Sequence, residues 1–308
     1  MKTDLEQLIE LKKSKKAILI AHYYQESQIQ DAADFIGDSY AMAMYANKQE
    51  SKLVIVAGVK FMGETIKVLN PDKKILLPDL NAGCSLADSC TPQVFSHFKA
   101  KYPGAFVMTY INSSLAIKAM SDVICTSSNA VKIASQIPKD KKIIFGPDQH
   151  LGRYVAKKLG REMILFPGNC FVHTSFSYKE LASLKAQHPQ ANVVAHPECE
   201  DSILSQADFI GSTSELLKYT QDSEANTFIV LTEPGIIHQM KLKNPQKTFL
   251  MGPDLDGCAC NECPHMKLNT IQKVINCLKD ETPEIIINSR DASLARPALD
   301  RMIEMASR

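Results

Sequence analysis

Three hexapeptides recur along the chain at nearly constant spacing. They are DFIGDS (Asp34 to Ser39), DVICTS (Asp122 to Ser127) and DFIGST (Asp208 to Thr213), 88 and 86 residues apart. Self-similarity at a fixed period is the signature of a duplicated structural unit, and here it predicts three. Each copy follows an apolar, β-branched run that ends in polar residues: AILIAHYYQ (17–25), AFVMTYINSS (105–114) and NVVAHPECE (192–200). Such runs read as buried parallel strands with a functional loop at the carboxyl end. Each copy continues into a helical pattern, SYAMAMYANK, SSNAVKIASQ or STSELLKYTQ, with its hydroxyl residue placed as a natural N-cap. A second strand follows in LVIVAGV (53–59), KIIFGPD (142–148) and TFIVLTEPG (227–235), then a helix, then a third short strand. That strand runs into a loop bearing a cysteine: ILLPDLNAGC ending at Cys84, ILFPGNC ending at Cys170 and FLMGPDLDGC ending at Cys258.

Alternating strand, loop and helix predict an α/β protein: three pseudo-three-fold-related units with parallel sheets and a site at their common centre. The expected units are 1–100 with an N-terminal helix, 101–190, and 191–308 with C-terminal helices. KLNTIQKVINCLKD, PEIIIN and ARPALDRMIEM are expected to complete the third unit as helix, strand and helix. A chain of 308 residues, 45% hydrophobic, can bury the core this requires. Its 35 Lys plus Arg balance 34 Asp plus Glu, so no global charge recommends nucleic acid or an acidic membrane as partner. Carboxylates precede the short apolar run at the N-terminus, which is wrong for a signal peptide, and no stretch approaches the roughly 20 residues of a membrane span. A cytoplasmic location is expected. Nine cysteines there point to metal or redox chemistry for some of them.

The segment GPDLDGCACNECPHM holds Cys258, Cys260 and Cys263, a spacing that matches neither a zinc ribbon nor a ferredoxin. Partners must therefore come from elsewhere. Where the repeat loops converge, Cys84, Cys170 and one thiol of this segment would supply three thiolates, suited to an iron–sulfur cluster with one open iron or to zinc with a bound water. The helix starts at Ser39, Ser127, Ser128, Ser212 and Thr213 would point backbone N–H groups and hydroxyls at the same centre, which suits carboxylates and phosphate. His22, Tyr24, Tyr110, Asn112, His173, His196 and Glu198 are the acid–base and oxyanion candidates at the strand ends. Cys125, Cys199 and Cys277 read as core residues, and His97, His150, His188 and His238 as structural.

Taken together, AHYYQ with its downstream GDS, YINSS, GNCFVH, AHPEC, GSTS and CPHMKLNT resemble the quinolinate synthase family, the NadA-type enzymes of NAD biosynthesis. The resemblance runs from about Ala21 to the final helix. It implies a triangular assembly of three α/β domains around a 4Fe–4S cluster held by one Cys per domain. It also implies a condensing and dehydrating transferase that joins iminoaspartate to dihydroxyacetone phosphate, giving quinolinate, phosphate and water. By motif, Cys84, Cys170 and Cys263 resemble the cluster ligands. The internal repeat instead aligns Cys258 with Cys84, and the family pattern is preferred here. Cys258 and Cys260 are then spare thiols, available for a regulatory disulfide. Tyr24, Ser39, Tyr110, Asn112, Ser127, His196, Ser212 and Thr213 resemble substrate-binding positions, Glu198 the acid–base residue, and His22 and His173 cavity-lining residues. Tyr110 and His22 are expected to assist an isomerisation, and Glu198 and Tyr24 to move protons. Because a free imine hydrolyses in water, a closed cavity and handover from an aspartate oxidase or dehydrogenase are expected. Two other classes fit the residues: an aconitase-like hydro-lyase, and a non-enzymatic iron or redox sensor built on Cys258, Cys260 and Cys263.

Overall fold

The computed structural model describes residues 3–253 and 261–308. Cys258 and Cys260, and with them the expectation of spare thiols, lie outside the described residues. The strands are β1 (Ala17–His22), β2 (Phe35–Gly37), β3 (Leu53–Ala57), β4 (Lys74–Leu76), β5 (Phe106–Tyr110), β6 (Val123–Cys125), β7 (Ile143–Gly146), β8 (Ile164–Leu165), β9 (Asn192–Ala195), β10 (Phe209–Ile210), β11 (Thr227–Leu231) and β12 (Thr248–Met251). They form three four-stranded parallel sheets ordered β2-β1-β3-β4, β6-β5-β7-β8 and β10-β9-β11-β12. The three sheets share one topology, as the repeat predicts. In each, the chain reverses direction across the sheet between its first and third strands, the switch point at which open α/β sheets present a crevice.

The motif aspartate explains why the repeat is visible in sequence. Asp34 accepts from the Leu19 N–H at 2.7 Å, Asp122 from Val107 at 2.7 Å and Asp208 from Val193 at 2.8 Å. Each returns its own N–H to the same residue's carbonyl, at 2.8, 2.9 and 2.8 Å. One side chain thereby locks the turn into the edge strand against the first strand. Leu19, Val107 and Val193 are thus equivalent positions. So are their neighbours on the third strand, Ile55, Ile144 and Ile229.

The helix starts differ from expectation. In the first unit Asp38 is the N-cap, its carboxylate accepting from Ala41 N, and Ser39 is the first helical residue. In the second, the helix Ala130–Ser135 begins after Asn129, beyond Ser127 and Ser128. Only Ser212 caps as expected, in a capping box with Glu215.

The end of the chain also departs from expectation, because it returns to the first and second units. Helix Ile271–Asp280 packs on helix Asp4–Lys15, burying Val274, Ile275 and Leu278 with Leu8, Leu19 and Ile55. Helix Ser289–Ser307 lies against β6 and against helices Lys60–Leu69, Leu115–Lys118 and Ala130–Ser135. PEIIIN forms no strand. It touches the open edge of β4 through Leu77 N to Pro283 O (3.2 Å) and Ile285 N to Ile75 O (2.8 Å), while Ile286 is 79% exposed. A short irregular cover of this kind blunts a sheet edge. Cys125, Cys199 and Cys277 are buried core residues. Among the described residues no helix is long and apolar enough to cross a membrane.

Candidate functional site

The locked register carries chemistry to fixed places. Three residues beyond Leu19, Val107 and Val193 stand His22, Tyr110 and His196; five beyond stand Tyr24, Asn112 and Glu198. All six line one cavity at the meeting of the three units. The last residue of each hexapeptide, Ser39, Ser127 or Thr213, lines it too, as do His173, Cys84, Cys170 and Cys263. Ser212 does not. It is fully buried, and its hydroxyl caps the helix Thr213–Asp222. Ser128 is also off the wall, its hydroxyl paired with Thr126 at 2.9 Å.

The polar centre of the cavity is Glu198, 2% exposed. Its Oε2 lies 3.1 Å from His196 Nδ1, 3.3 Å from His173 Nδ1 and 3.4 Å from the Tyr110 hydroxyl, which donates to it. Burial alone would raise this carboxyl, but hydrogen bonding with His196 and the Tyr110 hydroxyl holds it below the usual carboxylate value. The His173 and His196 rings stack, with centroids 4.5 Å apart. Burial, reinforced by His196, pushes His22 and His173 down to about 3. Both are therefore neutral at physiological pH, able to donate or accept but not to pair as cations.

Tyr24 is tied into the same centre from the first unit. Its hydroxyl lies 2.9 Å from Thr213 Oγ1 and 2.8 Å from Thr232 Oγ1, and Thr232 Oγ1 lies 2.9 Å from His173 Nε2. A continuous chain of polar contacts therefore joins Tyr24 to His173 and the edge of Glu198. Burial keeps the Tyr24 and Tyr110 hydroxyls protonated, well above the ordinary phenol value.

The three cavity thiols are raised by burial, Cys84 to about 12. Thiols on one cavity wall that burial keeps protonated are suited to ligating a metal centre, which supplies the charge that holds them as thiolates. Their loops are braced. The Cys170 N–H donates to Asp148 Oδ2 at 3.1 Å, and Asp148 Oδ1 caps the helix Gln149–Leu159 through Leu151 N. Four residues beyond Ile55, Ile144 and Ile229 come Val59, Asp148 and Glu233, so the buried acids occupy equivalent strand ends in the second and third units. Glu233 lies on the cavity wall with Lys267 at 3.0 Å. Burial pushes its carboxyl up to about 7. Asp148, Glu233 and Thr232 are absent from the sequence-based candidates. Their signal was available in GPD and LTEP, polar residues ending the second strand of a repeat.

The sequence profile described as "NadA: Quinolinate synthetase A protein" matches residues 6–304. A quinolinate synthase of Rippkaea orientalis is 55% identical over 297 residues, covering 96% of this chain and 91% of the relative. Those of Nostoc punctiforme and Trichodesmium erythraeum are 56% identical over 296 residues and 53% over 301, covering 96% and 98% of this chain and 91% and 93% of the relatives. With a family profile spanning almost its whole length and relatives more than half identical, this chain belongs to the quinolinate synthetase A family.

Proposed function

We propose that this protein condenses iminoaspartate with dihydroxyacetone phosphate to give quinolinate, phosphate and water, a step of NAD biosynthesis. The observation that carries the reading is the shared cavity. It joins three thiols, one from each unit, to a carboxylate ringed by two imidazoles and a phenol. Cys84, Cys170 and Cys263 would hold a 4Fe–4S cluster, which supplies an iron with an open position, a Lewis acid for a hydroxyl or carboxylate.

The remaining chemistry falls to the chain's own side chains. Among the described wall residues there is no Lys or Arg, so anionic substrate groups would be met by the hydroxyls of Ser39, Ser127 and Thr213, by Asn112, and by the N-termini of helices Ser39–Lys48 and Thr213–Asp222. Neutral His22 and Tyr110, at equivalent strand ends, hold the triose-derived part during isomerisation. Glu198, ionised and hydrogen-bonded, takes a proton; Tyr24, protonated and linked through Thr232 to His173, gives one. No net electron transfer is required. The imine hydrolyses in water, so the bound substrates would have to fill the cavity and displace water from it, and an aspartate oxidase or dehydrogenase is the fitting source of that substrate.

The test is to incubate anaerobically purified protein with dihydroxyacetone phosphate and iminoaspartate formed in situ, and to follow quinolinate by mass spectrometry. Quinolinate that depends on both substrates supports the reading. Dehydration of a simple hydroxy acid without triose phosphate would mean a hydro-lyase. No turnover, with metal content indifferent to Cys84 and Cys170, would mean a sensor.

A further inference from the structure

Cys170 and His173 stand three apart, the thiol at the N-cap and the imidazole on the single helical turn Phe171–Thr174. Residues at that spacing share a face. Glu198 reaches the same point from the third unit, and the ligand atoms of Cys170, His173 and Glu198 all lie within 4.8 Å of one another. Two of these side chains carry polar atoms with no hydrogen-bond partner among the described residues, although each residue is only 2% exposed: His173 Nδ1 and Glu198 Oε1. Nδ1 is 3.3 Å from Glu198 Oε2 but is not aligned to bond it. Orphaned buried polar atoms are costly, so two of them in one cluster with a thiol call for a ligand.

We propose that Cys170, His173 and Glu198 form a mononuclear site for a borderline divalent cation of the zinc class, in protein that carries no cluster. Sulfur, imidazole and carboxylate with a water in the fourth place are the donors of an open tetrahedral zinc site. Such donors stand about 3.5 Å apart, so side-chain shifts of about 1 Å close the set. The outer partners are in place. His173 Nε2 lies 2.9 Å from Thr232 Oγ1; in the tautomer that donates there, Nδ1 turns its lone pair toward Glu198. The Cys170 N–H is held by Asp148. Binding releases the Cys170 proton. Because the cluster also needs Cys170, the mononuclear ion and the cluster exclude each other, and the ion also removes Glu198 from proton transfer. The site itself does not depend on the reaction proposed above, but its exclusion of the cluster and its effect on Glu198 rest on that reading.

The probe is cobalt(II), titrated anaerobically into reduced, iron-free full-length protein. One equivalent is expected to give tetrahedral d–d absorption with a single thiolate-to-cobalt band. Zinc should displace it and then block iron–sulfide reconstitution. Cys84→Ser, Cys263→Ser and the double variant Cys258→Ser/Cys260→Ser should retain affinity. Thr232→Val should lose about tenfold, and His173→Gln and Glu198→Gln more than the roughly 10–100-fold that an outer-shell partner is worth. Thermal unfolding of each iron-free variant identifies any that fails to fold, and for such a variant the wild-type band pattern, one thiolate against three, decides. The proposal is overturned by an absence of cobalt binding, by a three-thiolate spectrum, or by affinity that survives Glu198→Gln and His173→Gln but falls with Cys84→Ser and Cys263→Ser.

Discussion

Glu198 occupies a position fixed by Asp208 fifteen residues from Val193, where two imidazoles and a phenol converge on one oxygen. Glu198→Gln keeps the shape and removes the base. It should lower kcat by about 10²–10⁴-fold with little change in Tm, measured by single-turnover quinolinate formation and thermal unfolding. His22 and His173 make a second prediction, on stability. Both bind a proton in the unfolded chain near pH 6.5 but in the folded protein only at about 3. Between those values the unfolded state holds more protons, so stability is fully present above about pH 6.5 and falls as pH drops toward 3. Urea midpoints at pH 7, 6, 5 and 4 should decline. His173→Gln should reduce the slope by about one proton, and an unchanged slope would contradict the buried neutral ring. The sequence made these residues legible because strand-end His, Tyr and Glu recur at matched positions. Thr232, Asp148 and Glu233 escaped because their significance lies in long-range partners, such as Thr232 bridging Tyr24 to His173.

At the level of elements, the three hexapeptides show how one pattern is used differently. Each aspartate locks an edge strand in the same way, which is why the period is so clear in sequence. Asp122→Ala and Asp208→Ala should each cost about 1–2 kcal/mol in urea unfolding. The hydroxyls that follow are not interchangeable. Ser212→Ala removes a capping-box bond and should cost about 1 kcal/mol of stability. Ser39→Ala and Ser127→Ala, which cap nothing, should leave stability within about 0.5 kcal/mol and raise KM instead. Sequence alone misplaced two of the three caps because Asp38, in the extended N-cap conformation, stands just before the first helix, while in the second unit Asn129 Oδ1 accepts from Thr126 N and closes a turn ahead of the helix. PEIIIN misled for a related reason. Its β-branched residues suit a strand, but it meets β4 only as an isolated bridge of Glu284 with Leu76, bonded through Pro283 and Ile285, and Ile286 points to solvent.

Across the whole molecule, the chain's end packs on its beginning and its middle. Helix Ser289–Ser307 buries Ala295, Leu299 and Met302 against the first two units, far in sequence from the sheets it covers. Leu299→Ala should cost about 2–5 kcal/mol and lower Tm, an effect that a tail belonging to the third unit alone would not transmit to the other two. That return was illegible because an amphipathic helix announces an apolar face and not which surface takes it. The convergence of loops on one centre was legible, since equivalent elements in a closed three-unit array must present equivalent loops to the axis. The third cysteine was the exception. Repeat spacing favours Cys258, which lies outside the described residues, and the family pattern favours Cys263, which lines the wall with Cys84 and Cys170. Iron and sulfide content of anaerobically purified protein, wild type beside Cys84→Ala, Cys170→Ala, Cys263→Ala and Cys258→Ala, tests that centre most directly. Wild type and Cys258→Ala should hold about four irons, and the other three none. Iron retained without Cys263, or lost without Cys258, would contradict it.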